Sequence, residues 1–248
     1  MHIRLLSDIH IEFADFKASA AGADVVILAG DIYVGTKGID WINAQAFDCP
    51  VIYVLGNHEY YSHKYPGLVA KMKLKAQNTN IFVLEKDSIA LDGVRFHGAT
   101  MWTDFNLFGT PELSGYACQQ MMNDYRKIRR EPSYSKLRAV DVSIIHLQSR
   151  RWLEESLKSS DCKTNVVVTH HAPSIHSIPE RDREDKIAPA YASDLEAFIH
   201  NHQPDFWFHG HVHESANYNI GPCNVQCNPR GYIHHLNERF NSELLISI

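Results

Sequence analysis

Residues 51–59 read Val51-Ile52-Tyr53-Val54-Leu55-Gly56-Asn57-His58-Glu59. Five apolar residues, β-branched and aromatic among them, make a run too short for a buried helix, and they predict a strand covered on both faces. A glycine follows, which permits a sharp turn. Behind it come an amide, an imidazole and a carboxyl. The same grammar recurs four times. The run 3–6 leads into Ser7-Asp8-Ile9-His10, and the run 25–28 ends in Gly30-Asp31. The run 166–169 continues as His170-His171-Ala172-Pro173, and 206–208 as His209-Gly210-His211-Val212-His213. Five strands thus end in polar, ligating side chains. In α/β proteins such ends gather, because short loops there project convergent groups.

Working outward, further strands are expected at 81–84, 94–97, 224–227 and 244–248, and helices at 65–77, 140–157 and 190–201. In the second helix Val140, Ile144, Leu147 and Leu153 recur near helical spacing, with charges between them. Short apolar runs alternating with helical patterns define an α/β chain. There is no repeat, low-complexity tract or Gly/Pro/Ser-rich linker, so 1–248 reads as one domain. The stretch 102–138, aromatic and then basic, reads as a cap or insertion.

With 44% hydrophobic and 21% charged residues, disorder and fibrous repeats are excluded as the dominant state. No apolar run approaches the roughly 20 residues of a membrane helix. The N-terminal apolar stretch is too short for a signal peptide, and the cytoplasm is the expected compartment. A formal net charge of −5 argues against a dedicated nucleic-acid binder. The five cysteines, odd in number and scattered, do not form a disulfide framework. The 16 histidines are the unusual count, and neutral imidazole is the commonest protein metal ligand.

Their placement makes chemical sense. Asp8 and Asp31 offer carboxylates, Asn57 an amide oxygen, and His10, His170, His211 and His213 imidazoles. Mixed nitrogen and oxygen ligation without thiolate suits Mn, Fe, Zn or Co in a working site rather than a structural zinc. Seven ligands exceed the needs of one tetrahedral ion, so two ions are expected.

The ordered blocks D-x-H, G-D, G-N-H-E, T-H-H and G-H-x-H, spanning residues 8 to 213, resemble the calcineurin-like metallophosphoesterase superfamily. The resemblance implies a four-layer sandwich of two mixed sheets flanked by helices, with a dinuclear metal centre at the strand ends. It implies that Asp8, His10 and His213 hold one ion, that Asn57, His170 and His211 hold the other, and that Asp31 bridges them. A hydroxide between the ions would attack the phosphate ester while His58 protonates the leaving group. The calcineurin-type protein phosphatases carry G-D-x-H-G first and an Arg after the second aspartate, both missing here. Purple acid phosphatases carry a tyrosine three residues after that aspartate, whereas Tyr33 follows Asp31 by two. The likeness is closer to bacterial-type members.

His171 and Arg230 are expected to contact substrate, and Glu59 either holds the His58 ring or serves as a surface or cap residue. Trp102-Thr103-Asp104-Phe105 and Tyr116 either line a pocket for a flat group or pack their own cap. The cations Arg126, Lys127, Arg129, Arg130, Lys136 and Arg138 form either a solvated face or a contact for further phosphates. The expected substrate is a phosphate-ester small molecule or nucleotide, with nucleic acid less favoured and no membrane involved. Two rivals stand beside hydrolysis: a catalytically silent binding or scaffold module, and a nuclease working through 126–138.

Overall fold

The apolar runs assemble into two sheets. In the computed structural model, which describes residues 1–248, the first sheet has the order β15 (Leu245–Ser247), β1 (His2–Leu6), β2 (Val25–Ala29), β3 (Val51–Val54), β5 (Ile81–Leu84). The second runs β11 (Ala216–Ile220), β12 (Cys223–Cys227), β10 (Phe206–His209), β9 (Thr164–Thr169), β7 (Val94–Ala99), β6 (Asp87–Leu91). Pairing is parallel inside both sheets and antiparallel only where β15, β11 and β6 close the edges. Two ribbons, β4 (Lys64–Tyr65) with β8 (Arg129–Arg130) and β13 (Gly231–Tyr232) with β14 (His235–Leu236), sit apart. The helices are α1 (Lys37–Gln45), α2 (Gly67–Lys75), α3 (Pro111–Met121), α4 (Asp124–Lys127), α5 (Ala139–Lys158) and α6 (Glu196–His202).

Alternation along each strand builds four layers. Leu5, Ile27 and Ile52 of the first sheet meet Phe96, Val166, Val168 and Phe208 of the second. Their neighbours Val26, Leu28 and Tyr53 turn the other way, onto Ile39, Ile42, Leu68 and Met72 of α1 and α2. On the far side Val167, Trp207 and Val225 pack against Leu153 of α5 and against Phe198 and Ile199 of α6. Every central strand is therefore covered on both faces, and each such side chain contributes about 1.5–3 kcal/mol.

The structure revises several expectations. The long helix α5 forms, but of Val140, Ile144, Leu147 and Leu153 only Leu153 is buried; its inner face carries Val142, Ile145, His146 and Ser149. The helix expected at 190–201 begins only at Glu196. The amides of Ser193 and Leu195 bond instead to the carbonyls of Ala172 and Pro173, tying that stretch to the loop after β9. The edge strands β6 and β11 escape the apolar pattern because they are only half covered. The stretch 102–138 carries α3 and α4, and it buries Trp102, Phe105, Cys118, Tyr125, Ile128 and Leu137 in the same apolar cluster as Val26 and Leu68.

This topology positions the site. The carboxyl ends of β1, β2 and β3 point the same way, as do those of β9 and β10. His170 Nδ1 spans the seam between the sheets to the carbonyl of Ala29 at 2.9 Å.

Candidate metal centre

All seven expected ligands converge at that seam, six of them fully buried and His213 partly so. Asp8, His10 and His213 form one group with ligating atoms within 4.8 Å of one another, and Asp31, His170 and His211 form another. Asp31 also groups with His10 and His58, so it stands between the two clusters. The amide of His211 donates to both carboxylate oxygens of Asp8, at 3.1 and 3.0 Å, and orients that side chain.

The proton inventory asks for cations. His170 Nδ1 lies on the Ala29 carbonyl, which accepts only, so the neutral ring carries its proton there. Its Nε2 lone pair then faces Asn57 Oδ1 at 3.0 Å and Asp31 Oδ1 at 3.4 Å, acceptor against acceptor. His10 Nδ1 likewise lies on Glu12 Oε1 at 3.2 Å, leaving Nε2 toward His213 Nε2 at 3.2 Å and Asp31 Oδ2 at 3.8 Å. His211 Nε2 is buried with no partner at all. Opposed lone pairs and an orphaned ring nitrogen in a buried space are costly. Divalent ions relieve all of them together, and the nitrogen and carboxylate donors fit such ions.

Electrostatics agree. Burial brings His170 down to about 4 and pushes His171 and His211 well below the usual imidazole range, so the rings are neutral, as ligation requires. Asp31 moves the other way: burial and the charges of Glu59 and Asp8 push its carboxyl well up. An anion penalised in this way is stabilised by positive charge held against it.

Backbone strain marks the same residues. Asp8, His10, Asp31, His211 and His213 have φ of 50°, 51°, 56°, 70° and 60°, in the left-handed region. Each such non-glycine residue costs of order 1–3 kcal/mol and persists only where its surroundings impose it. Two glycines make room for the ligands. A Cβ on Gly30 would collide with His170 Nδ1, and one on Gly56 with Asp31 Oδ1.

Three residues that motif spacing did not single out complete the site. Glu12 Oε1 accepts from His58 Nδ1 at 2.9 Å as well as from His10 Nδ1. Burial opposes its ionisation, but the two ring hydrogen bonds win and hold its carboxyl at about 2. The Tyr232 hydroxyl lies 3.0 Å from His58 Nε2. Asp124 Oδ1 accepts from Asn57 Nδ2 at 2.9 Å and from the Tyr61 hydroxyl at 2.8 Å, which turns the Asn57 oxygen inward. Glu59 has neither role expected of it. It is fully buried and accepts from the amides of Asp31, Ile32 and Gly56 and from the Tyr53 hydroxyl. It therefore ties the loops after β2 and β3 together, while Glu12 holds the His58 ring.

His171 and Arg230, the expected substrate contacts, stand outside the lining of the cleft beside the centre. The His171 ring is buried beside His211, with centroids 4.3 Å apart, and its Nδ1 lies on the Thr100 carbonyl. The Arg230 guanidinium donates to the carbonyls of Ile9, Ala14 and Asp15 and stacks on Phe16. Neither lines the cleft beside the metal centre, nor do Trp102, Phe105 or Tyr116. Within the basic cluster Arg130 and Arg138 are both paired with Asp141, and none of the six cations lines the cleft.

Two sheets in four layers, with a histidine–aspartate cluster at their seam, make up the calcineurin-like fold. The chain belongs to the calcineurin-like phosphoesterase family, whose sequence profile matches residues 1–215. It is 27% identical over 281 residues to the uncharacterized protein L509 of Acanthamoeba polyphaga mimivirus, covering 99% of this chain and 96% of L509. Phosphopantetheinyl hydrolase PptH from Mycobacterium tuberculosis superposes with a TM-score of 0.77 at 13% identity, over 99% of this chain and 95% of that one. Purple acid phosphatase PPD1 from yellow lupin seeds gives 0.50 at 15% identity, over 92% and 43%. GAP50, the anchor in the inner membrane complex of Plasmodium, gives 0.51 at 12%, over 93% and 72%. At these identities the structural likenesses establish the fold. No helix is long and apolar enough to cross a membrane.

Proposed function

We propose that this chain hydrolyses phosphate mono- or diesters, with Asp8, His10 and His213 holding one divalent ion, Asn57, His170 and His211 a second, and Asp31 both. The observation that carries this reading is the convergence of ring-nitrogen lone pairs and the Asp31 carboxylate on one buried space without protons to share. Bound there, Mn, Fe, Zn or Co ions supply positive charge for the phosphoryl oxygens and make water a nucleophile at neutral pH.

The chain's own residues perform the remaining tasks. Glu12 accepts the Nδ1 proton of His58, so Nε2 is the atom presented to the ester. Protonated at Nε2, His58 delivers that proton to the departing alkoxide, and the Tyr232 hydroxyl 3.0 Å away steadies the ring until substrate takes its place. Asp124 keeps the Asn57 oxygen turned toward the ions. Low pKa values keep the His170 and His211 rings free of a second proton. The nuclease reading loses support because the cations of 126–138 stand outside the cleft. A cytoplasmic setting suits the five free thiols.

The test is a screen of metal-reconstituted protein against monoesters and diesters. His58→Ala is expected to keep its metals yet lose about 10²–10⁴-fold in turnover. The deficit should be smaller for p-nitrophenyl esters, whose leaving group needs little protonation, than for alkyl esters. A protein with two bound ions that turns over none of these esters would be a binding module. Loss of metal in His58→Ala would make His58 a ligand.

A further inference from the structure

The metal centre opens into a cleft of about 430 Å³, floored by Asp31, Asn57, His211 and His213. This size falls within the range of small-molecule sites, about 300–1,000 Å³. Its apolar lining comes from Met121, Met122, Ile178, Ile187 and Val212, and the side chains of Tyr61, Tyr191 and Tyr232 join it. Beside His58 the surface stays aromatic, since the half-exposed Phe13 ring lies 6.3 Å from His58 and 5.7 Å from Tyr232.

The charge of this lining is one-sided. Beyond the floor its only acidic side chains are Asp182 and Asp185, and no lysine or arginine lines it. The cations adjacent in sequence, Lys127, Arg181, Arg183 and Lys186, stand outside the lining. Arg181 pairs with Glu214 and Asp182, and Arg183 donates to the Ile178 carbonyl. Lys127 lies over the Tyr61 ring, 4.6 Å from its centroid, outside the lining. The reacting phosphate is met by the floor. A second phosphate would have to leave water for apolar walls and two carboxylates, with no donor cation to receive it.

We infer that the cleft takes esters with a single phosphorus centre and an extended, largely apolar, uncharged organic part, and that it rejects molecules bearing a second phosphate: bisphosphates, nucleoside polyphosphates and nucleic-acid chains. This rests on the phosphoesterase reading above and adds the substrate class to it.

The experiment compares hexyl phosphate and its methyl diester with the matching hexanediol compounds that carry a second phosphate at the far end. All are assayed on metal-loaded protein, with p-nitrophenyl phosphate and bis(p-nitrophenyl) phosphate as references for the chemistry. The single-phosphorus compounds are expected to have kcat/KM at least about tenfold higher, and Asp182→Lys with Asp185→Lys should narrow the ratio to about threefold or less, mainly through KM. The Asp182→Asn, Asp185→Asn pair should fall between. Equal kcat/KM in the unaltered protein, or a ratio that the charge reversal does not move, overturns the inference while leaving the phosphoesterase reading intact. If no ester, references included, turns over, the phosphoesterase reading falls. Calorimetric binding of the two kinds of compound then decides the preference of the cleft by the same tenfold criterion.

Discussion

One oxygen of Glu12 serves two rings, those of His10, proposed as a metal ligand, and His58, proposed as the proton donor. Removing such an outer partner typically costs about 10–100-fold in metal affinity or activity. Glu12→Gln, which keeps the shape and an acceptor oxygen, is expected to lower kcat by about tenfold, and Glu12→Ala by about 100-fold. In both, KM should change less than kcat, and metal content should be read by mass spectrometry alongside. A Glu12→Ala protein with unaltered kcat would remove the positioning role. Glu12 lies only two residues after His10, but the left-handed backbone at Asp8 and His10 takes this segment out of the extended alternation from which a shared side could be read. Asp124 and Tyr232 gave no signal either, because they reach their partners across 67 and 174 residues. Glu59 misled because it adjoins His58 in sequence, yet in the short turn His58–Tyr60 neighbouring side chains diverge.

At the scale of elements, the central strands were legible because burial on both faces makes them apolar throughout, and five of them announced their carboxyl ends with ligating residues. The helices were legible in existence more than in facing. In α5 the residues Val140, Ile144 and Leu147 offered a helical stripe, but His146 and Ser149 are the ones turned inward, His146 toward the Trp102 carbonyl and Ser149 onto that of Ile145. Buried polar residues that turn toward backbone carbonyls cannot be told from surface ones by periodicity. The start of α5 rests on Asp141, which accepts from the Arg138 amide at 3.0 Å and from the Arg130 and Arg138 side chains. Asp141→Ala is expected to cost about 1 kcal/mol, the usual worth of a helix-start hydrogen bond, seen as a lower urea midpoint at unchanged slope. Although partial burial opposes ionisation, the Arg138 hydrogen bond and the charges of Arg138 and Arg130 hold this carboxyl below its usual range. Its contribution is therefore full above about pH 4 and fades as pH falls through the lowered value, so the variant and the parent should converge in acid.

For the whole molecule, the centre belongs to neither sheet alone. β1, β2 and β3 bring four of the candidate ligands and β9 and β10 bring three, and the His170 bond to Ala29 joins the halves. Ions that bind only this folded arrangement stabilise it by mass action, about 2.7 kcal/mol at one hundred times the dissociation constant. For a chain of this size that corresponds to roughly 2–4 °C of Tm per kcal/mol. Manganese or zinc is expected to raise Tm by several degrees in differential scanning calorimetry, and a chelator to reverse it, while Asp31→Asn should blunt the rise. A melt indifferent to metal and chelator alike would dismiss the centre.

The left-handed backbone at Asp8, His10, Asp31, His211 and His213 bears on how variation of this chain is to be read. In a library of all substitutions sorted by abundance in cells lacking added metal, these positions should obey backbone sterics before ligand chemistry. Glycine and asparagine, which adopt that region most readily, should rank highest, alanine lower, and valine and isoleucine last. His170 and Asn57, outside that region, should show no such order. Two populations of ligand positions with different tolerance profiles would then appear in one site, separating what the fold demands of a residue from what the metal demands.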